Sequence, residues 1–260
     1  MVYYSGNLIV LREVIPLIIL VLLVSFIPSV LLFFFLRSNR KEDPEYKKEC
    51  SKSLLRGVLC AAILVPINLV LQLLWRLTGI GKAYPLLDQL FSAFILAATV
   101  EEMLKFLMAK KSFTKQPEKT SRLDVIAFTT ICAIGFGLIE DVVYVFETNI
   151  GQILVRGLLM GHAAYGLFIG LLYSKGMAKD STLLKVLAVL IPTFLHGLYD
   201  FSLNEGLPDV FAFIAVLDTL FWTVFLIVMI FFVKKKRKDP VYTCPILPSE
   251  PVFSSLKSEQ

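Results

Sequence analysis

The sequence predicts an all-α, polytopic transmembrane helix bundle. Three observations lead there. The chain of 260 residues is 57% hydrophobic, with a mean hydropathy of +0.74, too apolar for an ordinary water-soluble domain. Its apolar residues fall into about seven runs, each long enough to cross a hydrocarbon core at ~1.5 Å per residue. Its basic residues gather in alternate linkers between those runs.

The runs cover approximately 13–36, 54–77, 86–108, 123–146, 151–174, 183–204 and 209–233. They are continuous rather than alternating, which excludes half-buried strands and reads as helix throughout. The linkers after the first, third, fifth and seventh runs hold 20 Lys and Arg residues, whereas the opposite side holds 4. By the positive-inside bias this places the N-terminus outside and the C-terminus in the cytosol. Met1 to Arg12 lacks the basic start and small-residue cleavage site of a removable signal peptide, so the first run is expected to stay as a span.

The net charge of +5 is dispersed in these short clusters and forms no nucleic-acid-binding stripe. Cys50, Cys60, Cys132 and Cys244 show no CxxC or metal-finger spacing and read as reduced or core thiols. Residues 1–238 are expected to form one transmembrane unit, with its chemistry in about 86–204; 239–260, rich in Pro and Ser, read as a disordered cytosolic tail.

The third run carries Glu101, Glu102 and Lys105 in an otherwise apolar stretch. A charge at the centre of a spanning helix costs roughly 2.5–3.5 kcal/mol, so such residues face the bundle interior and find partners there. Glu101 and Lys105 are one turn apart, which predicts an ion pair between them, while Glu102 points about 100° away. Lys105 could instead snorkel toward the cytosol. The fourth run places Phe136 and Glu140 on one face. The chain has two histidines, His162 and His196, and both lie inside apolar runs. Asp200, one turn from His196, can orient its ring. Gly157, Gly161, Gly166 and Gly170 read as close-packing positions around His162.

Depth offers a partial test. Counted from the nearest cytosolic basic residue, Glu101 lies ~14 Å in, His162 ~20 Å and His196 ~17 Å, close enough to meet; Glu140 lies ~27 Å from Arg122 and does not match. Converging glutamates and histidines suit a bound metal or a carboxylate-activated water.

Taken in order on successive helices, Glu101-Glu102-x-x-Lys105, Phe136-x-x-x-Glu140, His162 and His196-x-x-x-Asp200 resemble the PrsW family of intramembrane proteases. The likeness runs over about Ser92 to Leu203. That family is related to the CAAX prenyl endopeptidases and their bacterial relatives, which typically carry His where Glu140 stands; the difference argues against a prenyl-protein substrate.

The resemblance implies an endopeptidase in a bacterial cytoplasmic membrane that makes the first cut in a single-span protein such as an anti-sigma factor. On that reading Glu101 is the general base and Glu102 the second candidate. His196, oriented by Asp200, polarises the scissile carbonyl or ligates a metal. His162 and Glu140 complete the site, Lys105 tunes the glutamate pair, and Phe136 is a supporting residue of the motif. Two chemistries stay open: zinc held by His162, His196 and Glu140, or a metal-free, glutamate-activated water. The rival from another class is a proton- or cation-coupled transporter or channel using the same residues.

Overall fold

The computed structural model of the chain describes residues 3–115, 117–144, 157–204 and 206–246. Among them the secondary structure is helical, with one isolated bridge between Ser121 and Pro245. The long helices are α1 (Tyr3–Arg37), α2 (Pro44–Thr78), α3 (Val100–Phe113), α4 (Arg122–Tyr144), α5 (Gly161–Ala178), α6 (Thr182–Ser202) and α7 (Asp209–Lys236). Six stretches among the described residues are long and apolar enough to cross a membrane.

The third expected span is built differently from the others. A short helix Pro85–Leu90 runs into a π-helix Phe91–Thr99, which continues as α3. The junction residues Leu90, Thr99 and Val100 keep right-handed helical angles, so the rod is unbroken. The apolar pattern read this stretch as plain α-helix because an i→i+5 segment leaves composition unchanged.

Local signals account for the helix ends. Asp43 caps α2 by accepting a bond from the Tyr46 N–H at 2.9 Å, with Pro44 in the first turn. Gly79 ends α2 at φ 70°, the left-handed conformation that favours glycine. Ser181 caps α6 through the Leu184 N–H at 3.3 Å.

The centre of the bundle is α4, with 67% of its most apolar window buried, against 17% for α1 and 11% for α2. α1 from Leu17 onward, α2 and α7 present Leu, Ile, Val and Phe outward, as a surface solvated by lipid requires. α2 crosses α4 at two glycines. A Cβ on Gly57 would overlap the Cys132 carbonyl, and one on Gly135 the Leu54 carbonyl. Of the glycines near His162, Gly166 and Gly170 bring α5 onto α4 and Gly157 meets Ser25 of α1, whereas a Cβ on Gly161 would meet nothing within 4 Å among the described residues.

On the face where the basic linkers gather, Arg40 pairs with Asp124, and Arg56 pairs with Glu49 at 2.5 Å and with Ser112. Part of the expected disordered tail is ordered. Pro240–Thr243 is a short helix, Ile246 N–H donates to the Thr120 carbonyl at 2.8 Å, and Arg122 stacks over Tyr242 at 4.2 Å. Asp239 accepts from Lys236 at 2.6 Å, and this bond holds its carboxyl below the usual carboxylate range. The expectation for 247–260 lies outside the described residues, as does 151–156 of the fifth run.

Candidate active site

Four helices bring the polar residues together beside α4. From α3, Glu101, Glu102 and Lys105 all point inward and are buried, Glu102 completely. Lys105 does not snorkel. Its ammonium donates to Glu102 Oε1 at 2.6 Å, reaches Glu101 Oε2 only at 4.0 Å, and lies 4.5 Å over the Phe136 ring. The ion pair expected between Glu101 and Lys105 is therefore weaker than the one to Glu102. On this helix i,i+3 partners approach as readily as i,i+4, and the bundle supplies the rest of the cation's environment.

α6 contributes His196. Its Nδ1 lies 2.9 Å from Glu102 Oε1 and its Nε2 3.3 Å from Asp200 Oδ2, so a carboxylate flanks each ring nitrogen. α5 contributes His162, 3.0 Å from Lys105 through Nδ1 and in contact with Glu140 through Nε2. The two imidazoles stand 5.4 Å apart, edge to face, and Phe136 packs on His162 at 5.1 Å.

Glu140 thus reaches the site that its depth count placed out of range. The count fails because Arg122 does not mark the same level as Lys110 or Lys175. The first turn of α4 is wrapped by the segment after α7 and by the α1–α2 linker.

The side chains that converge on one point are Glu101, His162 and His196, whose ligating atoms lie within 4.8 Å of one another. Glu140 is not in this set; it touches His162 through Nε2. Two buried oxygens here, Glu101 Oε2 and Glu102 Oε2, have no hydrogen-bond partner among the described residues. Such orphaned acceptors favour a cation or a water. Two imidazoles and a carboxylate are a donor set found in catalytic zinc sites, and carboxylates behind the rings fix their tautomers. The residues present fit a metal.

A cavity opens beside the histidines, lined by His162, His196, Asp200, Tyr199, Tyr165 and Asp218 among others. Three of its neighbours went unread in the sequence. Tyr165 stacks on His196 at 5.1 Å and meets Trp222 edge to face at 4.8 Å; Asp218 accepts from Trp222 Nε1 at 3.2 Å. Asp218 gave the same signal as Glu101, an acid inside an apolar run.

The comparisons with known proteins now bear on this geometry. Residues 50–233 match the model of the PrsW family intramembrane metalloproteases. The chain belongs to the PrsW family. A curated Protease PrsW of Clostridioides difficile is 28% identical over 70% of this chain and 78% of its own length. That of Halalkalibacterium halodurans is 31% identical over 66% and 77%, and that of Bacillus subtilis 23% identical over 75% and 86%. No solved structure matches the chain. The PrsW match spans α3, α4, α5 and α6, the helices that carry the converging residues, and makes the chain a multi-pass membrane protease.

Proposed function

We propose that this protease hydrolyses a peptide bond of a single-span membrane protein by a water activated at Glu101, between His162 and His196. The observation that carries the assignment is the difference between the two glutamates. Glu102 is spent, bonded at once to Lys105 and His196. Glu101 is buried, converges with both imidazoles and has the Lys105 ammonium only at 4.0 Å.

In this reading Glu101 takes the proton of the attacking water and returns it to the departing amine. His162 and His196, each giving up one of its present ring-nitrogen partners, would hold a zinc ion together with one Glu101 oxygen, leaving the other Glu101 oxygen as the base. The ion would supply acidified water and a polarised scissile carbonyl. With one nitrogen of each ring on the ion, Glu102 or Asp200 would hold the other nitrogen of His196 and Glu140 that of His162. Phe136 shields the Lys105 ammonium from lipid. The anchored anti-sigma factor implied by the family likeness is a substrate of the required form, one apolar span.

Co-expression with tagged single-span membrane proteins tests the reading. A shortened product that disappears with Glu101→Gln is the expected result. Ion or proton flux through reconstituted protein, with no cleavage of any candidate, would favour the transporter instead.

A further inference from the structure

We propose that the π-helical segment Phe91–Thr99, latched by the Thr99 hydroxyl, sets the angle at which Glu101 and Glu102 face His196, which makes Thr99 a positioning residue. The inference rests on the site proposed above but concerns its geometry rather than its reaction.

π-Helix is rare and occurs mostly as single-turn bulges, often at functional sites. A nine-residue segment immediately before two buried glutamates needs something to hold it. Two features do. The Thr99 Oγ1 donates to the Phe94 carbonyl at 2.6 Å, spanning five residues, which is the π step itself. The Phe94 ring sits over Gly197, where an added Cβ would come within 2.9 Å of ring carbons, and between Phe194 at 5.8 Å and Phe201 at 6.3 Å. All three neighbours lie on α6 and one of them adjoins His196. The π segment is therefore keyed to the helix that carries the histidine.

Phase decides why this matters. Wider turns delay the rotation of everything downstream, and a slip of one residue is roughly 100°. That is also the angle between Glu101 and Glu102. If the segment relaxed to α-helix with its ends held, the inward face of α3 would shift by about one position. Glu101, Glu102, Lys105 and Phe106 are buried now, while Met103 is 41% and Leu107 48% exposed. A slip in either direction would carry Met103 toward a less exposed place, put one glutamate in the other's position and break the present Glu102–Lys105–His196 set.

Thr99→Val keeps the side-chain shape and removes the donor, Thr99→Ser keeps the donor, and Gly197→Ala pushes on the Phe94 ring. Each variant is made with Met103→Cys and Cys244→Ser, and scored for cleavage and for labelling of the introduced thiol by an apolar maleimide. Thr99→Val is expected to lower kcat about threefold to tenfold with little change in KM, and to reduce labelling. Thr99→Ser should restore both, and Gly197→Ala should move both in the same direction as Thr99→Val. Wild-type labelling in Thr99→Val and Gly197→Ala would overturn the proposal, whatever the cleavage rate. Failure of the parent protein to cleave any substrate would count against the reaction, and the labelling pattern would still decide the latch.

Discussion

Lys105 gives its short bond, 2.6 Å, to Glu102 Oε1 and stands 4.0 Å from Glu101 Oε2. Glu102 in turn holds His196 at 2.9 Å. One carboxylate of the adjacent pair thus joins α3 to α6, and the other, the base in the proposed reaction, makes no such bond. In a bundle interior, where lipid offers no competing hydrogen bonds, this division of labour decides both stability and mechanism.

Glu102→Gln should damage the fold more than Glu101→Gln. Removing the Glu102 charge leaves a buried ammonium without its close anion, a loss of about 3–5 kcal/mol for a broken buried pair. Thermal unfolding in detergent checks this. Adding Lys105→Met to Glu102→Gln should recover much of the stability while cleavage stays lost.

The glycine crossings make a second, purely structural prediction. Gly57→Ala and Gly135→Ala force α2 away from α4 and should cost about 1–3 kcal/mol each. Gly161→Ala, with nothing among the described residues within 4 Å of the new methyl, should leave stability unchanged. Comparing the three unfolding midpoints tests the packing.

Topology is the third prediction. A reporter fused after Lys238 should be cytosolic and one inserted between Asn204 and Asp209 external, following the basic linkers. An external C-terminal reporter would break the seven-span arrangement.

Metal content is the fourth. Purified active protein should carry close to one zinc per chain, and His196→Ala should lower zinc and cleavage together. Full cleavage after exhaustive chelation, with no bound metal, would leave the metal-free glutamate version.

What the sequence made legible followed from free-energy costs too large to hide. Glu101, Glu102, Lys105, His162 and His196 stood out because charge and imidazole are expensive in an apolar run, and each of them lies in the cluster. Details of geometry were not legible. The Glu102–Lys105 preference depends on side-chain placement that spacing alone leaves open. The depth count assumes that every helix starts at one level, an assumption that the contact of Glu140 with His162 shows does not hold for Arg122. The π segment left no mark on composition, since Phe91–Thr99 is apolar in either helix type. Asp218 is legible as an acid inside an apolar run, and it lies beyond His196-x-x-x-Asp200, the last motif of the resemblance.

The most direct test of the central claim uses purified protein in liposomes with a single-span substrate, comparing wild type with Glu101→Gln. Glutamine preserves size and leaves the Glu102–Lys105–His196 connection intact, so folding should be retained while cleavage falls by about 100-fold or more. Cleavage by Glu101→Gln at the wild-type rate would contradict the account.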